Sequence, residues 1–279
     1  MSQFNRNGCD YDSEGLPLSV RRYVYQGREH FSQIISVERE RFRLSVDLSE
    51  YFVVFIDDST FQNDFVDPNT IPIHGIRCTF NPQTNTLIVK IMTPEHQQVA
   101  QAINSVIYDV LIPMGLQHDI LSYAEVNINV KGMSKQPDWA LGPRHPPPGT
   151  AKRPRVVAEI AISQTRRRLQ RDIDLWLDPS RGKVNVAIAI KASRTRPLIT
   201  IDKYEWNHDN GQAQLSQNIE IRESHAGDEV RVSGGPLTIP FDHLFLRPPQ
   251  SPREGDLILG REELEEIAKW VWEAQFAQF

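Results

Sequence analysis

Long apolar runs are missing from this 279-residue sequence, and none approaches the roughly 18 residues that a membrane-crossing helix needs. Cysteine is scarce. Cys9 and Cys78 fit neither a disulfide framework nor a metal-ligand spacing. The opening stretch MSQFNRNGCDYDSEG holds no apolar signal core. Together these absences predict a reducing, intracellular setting, cytoplasm or nucleus. A zinc pattern, a phosphate-cradling glycine loop and a G-x-S-x-G elbow are absent too, and with them the sequence signatures of those chemistries.

What is present has the balance of a folded protein: 39% hydrophobic and 24% charged residues, with length enough to bury a core unaided. The net charge of −5 conceals an asymmetry. Between Lys131 and Arg196 stand fifteen Lys and Arg against five acids, a local +10 that leaves −15 for the remainder. Such a segment is either a polyanion-facing surface or simply a solvated basic face.

Along the chain, residues 1–20 read as an arm. RYVYQG, RFRLSVDL and YFVVFIDD then have strand composition, and IPIHGIRCTFNPQTNTLIVKIM reads as two strands joined by a turn at Asn81–Asn85. TPEHQQVAQAINSVIYDVLIPMG is a helix capped by Thr93, with Val99, Ala102, Ile103, Val106, Ile107 and Val110 on its buried face. A strand follows in DILSYAEVNINV, and a short one in QPDWALG. After the proline-rich loop PRHPPPGTAKRPR comes VVAEIAIS, apolar on both faces except at Glu159. Ser163 or Thr165 can cap the helix RRRLQRDIDLWL. VNVAIAIKA, PLITIDKYEW, QNIEIRE, EVRVSG and LTIPFDHLF continue as strands, and GREELEEIAKWVWEAQF closes as a helix.

The order helix, strand, strand with Pro-Asp, strand with Glu, helix, strand resembles the PD-(D/E)XK nuclease superfamily, the restriction-endonuclease-like fold. The resemblance covers about residues 90–205 and rests on QPDWALGP, RVVAEIAIS and the basic helix behind them. It implies an α/β fold with a central mixed sheet flanked by helices, and the organisation expected is a β-rich extension (1–84), a nuclease-like core (85–210), and C-terminal strands plus a helix packed on the core (211–279).

The resemblance also implies phosphodiester cleavage with Asp138 and Glu159 as ligands of Mg²⁺ or Mn²⁺. A hard cation polarises phosphate and lowers the pKa of an attacking water, and it takes carboxylate oxygens. The plainer reading is that Asp138 caps a turn and Glu159 pairs with an arginine. One departure is clear: the lysine that the family usually places two residues after the strand acid is Ala161 here. Lys191 is the expected substitute, with Lys135 a second choice. Gln164 is a candidate for positioning a water and Glu95 for an additional acid. His96 and His145 are expected to face solvent.

Lys152, Arg153 and Arg155 before the acidic strand, and Arg166, Arg167 and Arg168 after it, are the expected contacts to DNA or RNA phosphates. Two functions follow: a metal-dependent nuclease, or a nuclease-like domain without chemistry that binds nucleic acid or protein.

Overall fold

A computed structural model describes residues 15–44, 49–162, 166–223 and 229–276. Two mixed sheets carry most of the chain. The first is built from β1 (Arg22–Val24), β2 (Tyr51–Phe55), β3 (Ile76–Asn81) and β4 (Thr86–Ile91), joined later by β6 (Ile128–Val130) and β7 (Met133–Lys135), in the order β1-β2-β4-β3-β7-β6. Helix α1 (Arg28–Leu44) covers one face of it, and α2 (Asp58–Phe61) runs into a π-helical turn at Gln62–Val66.

The second sheet has the order β13-β12-β11-β10-β9-β8-β5. It comprises β5 (Ile120–Ser122), β8 (Trp139–Pro143), β9 (Val156–Ala161), β10 (Val186–Ala192), β11 (Leu198–Asn207), β12 (Gln212–Glu223) and β13 (Val230–Ser233). Helix α3 (Pro94–Leu111) precedes it and α4 (Arg166–Leu177) makes the crossover between the parallel strands β9 and β10. A parallel pair cannot be closed by a tight turn, which is why a helix intervenes. The chain ends with β14 (Leu237–Ile239), α5 (Phe241–Phe245), β15 (Leu257–Leu259) and α6 (Arg261–Phe276), β14 and β15 forming a small separate sheet. The fold is mixed α/β, with helices flanking mixed sheets. The helix-strand-strand-strand-helix-strand order on which the resemblance rests is present as α3, β5, β8, β9, α4 and β10.

Period-2 alternation sorts the second sheet's side chains. Trp139, Leu141, Val156, Ala158, Ile160, Val186, Ile188 and Ile190 join the cluster that holds Val99, Ile103 and Ile107 of α3 and Leu264, Ile267 and Val271 of α6. The opposite face presents Ala140, Val157, Ala161, Ala187 and Ala189 to Leu169, Ile173 and Trp176 of α4. A face so rich in alanine leaves room for a helix carrying a large indole.

In the first sheet, Phe52, Val54, Leu87, Val89, Cys78 and Phe80 pack with Phe31, Ile34 and Ile35 of α1. Tyr51, Lys90 and Arg77 therefore stand on the other face, in one rung of β2, β4 and β3.

Several expectations need correction. RFRL, expected to open a strand, is instead the last turn of α1, whose buried positions Phe31, Ile34, Ile35, Glu38 and Phe42 follow the helical period, and the remaining SVDL of that stretch lies outside the described residues. DILSYAEVNINV divides between the two sheets as β5 and β6, and LTIPFDHLF turns helical after Pro240. The division expected at 84/85 falls inside the β3–β4 hairpin, and that at 210/211 inside the β11–β12 hairpin, so hydrogen-bonded strands span both. The capping candidates Ser163 and Thr165, and Gln164, lie outside the described residues.

Candidate site between the two sheets

Asp138 and Glu159 do come together. Trp139 pairs with Ala158 across β8 and β9, so the next rung brings Asp138 beside Glu159, both on the face that α4 covers. The segment leading to Asp138 is pinned to β3: Gln136 N–H donates to the Cys78 carbonyl at 3.0 Å, and Arg77 Nε donates to the Pro137 carbonyl at 3.1 Å. That strap also sets Lys135, the last residue of β7.

Both carboxylates are buried, at 1% and 2% exposure, and both are already engaged. Asp138 Oδ2 accepts from the Ile160 backbone N–H at 2.7 Å and from Lys90 Nζ at 2.6 Å, with His96 Nε2 at 3.1 Å. Lys90 Nζ also donates to the Ile160 carbonyl at 2.5 Å. Glu159 Oε1 accepts from the Trp176 indole N–H at 2.6 Å and lies 3.1 Å from Lys135 Nζ. Lys135 Nζ stands 3.0 Å from Asp172 Oδ1, which also accepts from Arg168 Nη2 at 2.9 Å. The Tyr51 ring lies 5.7 Å from the Lys90 ammonium and 5.8 Å from the Arg168 guanidinium. One buried network thus joins β2, β4, α3, β7, β8, β9 and α4.

The two acids ionise differently. Burial pushes the Asp138 carboxyl up, but Lys90 and then His96 outweigh it and hold the group well below the usual carboxylate range. Glu159 is pushed up to about 7 by burial, which Lys135 only partly offsets, while Asp138 and Asp172 add repulsion. Burial also lowers His96 despite the Asp138 charge beside it, so its imidazole is neutral at neutral pH. For Lys90 burial works against the charge, yet Asp138 and its neighbours win and the ammonium is held well above its ordinary value. Asp138 Oδ1 is buried and has no hydrogen-bond partner.

The other expected residues scatter. Lys191 sits on the same face of the second sheet, opposite Ala161, but is exposed and lines a cleft that neither acid lines. Ala161 itself is fully buried beneath α4. Lys152, Arg166 and Arg167 are exposed, as is His145. Arg153 donates to the Gly182 carbonyl, and Arg155 is buried, donating to the Ala151 carbonyl at 3.1 Å. Arg168, expected at the surface, is turned inward by helix phase onto Asp172. His96, expected in solvent, is fully buried beside Asp138 because α3 presents that first-turn position to the core. Glu95 is half-buried in the same turn. Sequence reasoning did not find Lys90, Asp172 or Trp176. The signal for Lys90 was a lone lysine alternating with Ile88 in TLIVKI, where an inward polar residue needs a partner.

As arranged, the acids do not suit a divalent cation. Mg²⁺ needs several oxygen ligands free to close on it. Here Asp138 Oδ2 and the Ile160 carbonyl converge on an ammonium, and Glu159 Oε1 on a second ammonium and an indole. Among the described residues no group of three or more His, Cys, Asp or Glu is placed to hold a metal.

Two clefts flank α4. One, of about 630 Å³, has Arg168 and Asp172 in its wall with Arg171, Asp174, Asp178 and Arg181 around it. The other, of about 510 Å³, gathers Arg166, Lys191, Arg194 and Arg196 against the acid Asp202, whose Oδ1 accepts from Asn218 Nδ2. No helix among the described residues is long and apolar enough to cross a membrane.

No family model matches this chain, and no curated protein matches it. Among solved structures it is similar to an Anabaena variabilis protein described as a "putative nuclease belonging to DUF820", at 14% identity and a TM-score of 0.39, over 70% of this chain and 90% of that one. A likeness that loose carries no argument about chemistry.

Proposed function

We propose that this protein is a nuclease-like module that binds the backbone of DNA or RNA without cutting it. The observation that carries the reading is the internal neutralisation of the acid pair: Asp138 is tied to Lys90 and Glu159 to Lys135, both below the surface. The exposed cations of the cleft beside α4 are the charges that a partner would meet. Arg166, Lys191 and Arg196 are exposed there, while Arg194 is steadied by the Phe42 ring, 4.3 Å away. Arginine forks and a lysine in an open groove suit phosphate oxygens and read no sequence.

Fluorescence anisotropy with labelled single-stranded DNA, duplex DNA and RNA over a salt series tests this. Affinity should fall steeply with salt, and the Lys191→Gln/Arg196→Gln variant should lose about 0.7–0.9 of logarithmic slope for each phosphate contact removed. An unchanged slope overturns the cleft as the binding surface.

A second reading, metal-dependent cleavage, is favoured by the bare Asp138 Oδ1 and by Glu159 titrating near neutrality. Incubation with plasmid, single-stranded DNA and RNA in Mg²⁺ or Mn²⁺ separates the two. Cleavage that disappears in Asp138→Asn replaces the non-cleaving reading with this one.

A further inference from the structure

We infer that the Lys90 ammonium is the resident cation at the Asp138 carboxylate, and that a variant lacking it acquires a divalent-cation site of hard oxygen ligands. The inference rests on the proposed non-cleaving reading and deepens it, because it names the residue that keeps metal out.

The surroundings of Lys90 Nζ are those of a cation site rather than of an ordinary ion pair. Its two partners are a carboxylate oxygen, Asp138 Oδ2 at 2.6 Å, and a backbone carbonyl, Ile160 O at 2.5 Å. Carboxylates and carbonyls are the donors that Mg²⁺ and Mn²⁺ select. The second oxygen of the same carboxylate, Asp138 Oδ1, is buried and without a hydrogen-bond partner. His96 adds a nitrogen 3.1 Å from Oδ2, and its own Nδ1 is buried without a partner as well. Two unpaired polar atoms beside one engaged oxygen are unusual in a core, where buried polar atoms are nearly always paired.

Lys90 also arrives from elsewhere. It is carried by β4 in the first sheet, whereas Asp138 and Ile160 belong to the second, so the ammonium enters the acids' pocket from the opposing layer. Shortening that one side chain removes the cation, while the bond from the Ile160 N–H to Asp138 Oδ2 is made without it. Glu159, opposite Asp138 in the same rung, is a further carboxylate, its Oε1 held by Lys135 and the Trp176 indole.

Mn²⁺ binding by the full chain, followed by electron paramagnetic resonance and by calorimetry, tests the inference without reference to nuclease activity. The wild type should leave Mn²⁺ free. Lys90→Ala should bind one Mn²⁺ per chain at least about tenfold more tightly than wild type, and Lys90→Ala/Asp138→Asn should lose that site. Should Lys90→Ala prove unfolded in chelator, added Mn²⁺ should restore a cooperative melt, since a ligand of the native state alone stabilises it. A variant that stays unfolded in Mn²⁺, or folds and binds none, overturns the inference. So does wild-type Mn²⁺ binding that Asp138→Asn abolishes. The proposed function fails separately, through the salt dependence of the cationic cleft, which contains none of these residues.

Discussion

Replacing Lys135 by methionine keeps the stem and deletes the charge, and its cost should depend on pH in a way the structure fixes. In the wild type, Lys135 Nζ stands between Glu159 Oε1 at 3.1 Å and Asp172 Oδ1 at 3.0 Å, almost wholly buried. Breaking a buried pair by removing one partner costs about 3–5 kcal/mol when the other stays charged. Asp172 keeps Arg168. Glu159 keeps only the Trp176 indole among the partners found above, and its carboxyl already sits at about 7.

Because Lys135 lowers that carboxyl's pKa, its removal drives Glu159 to protonate. Near pH 5 Glu159 is neutral in folded wild type and variant alike, so the difference shrinks to lost contacts, about 1 kcal/mol. At about pH 8 the wild type holds a paired carboxylate, while the variant must bury an unpaired charge or keep its proton, and the cost should reach about 3 kcal/mol or more. Urea titrations followed by tryptophan fluorescence across this range measure it. In a Glu159→Gln background the same Lys135→Met change should cost a nearly constant amount. A destabilisation of Lys135→Met that is flat with pH would refute the assignment of Glu159 as its partner.

Glu159→Gln should itself flatten the wild-type profile. A carboxyl raised from 4.5 to about 7 holds a proton in the folded state that the unfolded chain releases. Stability from this group therefore falls as pH climbs through that window, by up to about 3 kcal/mol, and a wild-type curve that rises there contradicts the shift. Trp176→Phe removes the indole donor to Glu159 and should cost about 1–3 kcal/mol in chemical denaturation, a change within about 0.5 kcal/mol arguing against the bond. In Gly182→Ala the new Cβ would lie 2.1 Å from the Trp176 carbonyl oxygen. Backbone cannot yield there cheaply, so the variant should melt far earlier or fail to accumulate in soluble form. Wild-type-like melting would mean that the turn after α4 is looser than described.

The sequence was most readable where one period ran unopposed. Helix α3 and α4, and the apolar strands β9 and β10, lie close to where their patterns place them, since both faces of those strands and one face of each helix are buried. α1 was hidden because the charges of REHFSQIISVERE crowd its two ends and leave a short apolar stripe between, and its tail RFRL alternates like a strand. The site was half legible. Asp138 and Glu159 stand out as acids in apolar settings, and adjacency in the second sheet brings them together. Their cations do not stand out, because Lys90 lies 48 residues from Asp138 and in another sheet, a contact that only the packing of two layers creates. The basic helix shows the same limit. Three consecutive arginines turn through about 100° each, so Arg168 faces inward while Arg166 and Arg167 do not, and composition alone cannot say which.

The route of the chain between the layers has its own consequence. After β4 it leaves the first sheet for α3 and β5, returns for β6 and β7, and departs again into β8. Two blankets stitched together this way cannot slide across one another. Any shear would pull Lys135 away from Glu159 and Lys90 away from Asp138 in the same movement, stranding four charges in a dry seam. The cross-stitching and the seam therefore enforce each other: thread fixes alignment, and alignment keeps each of these four charges beside its opposite.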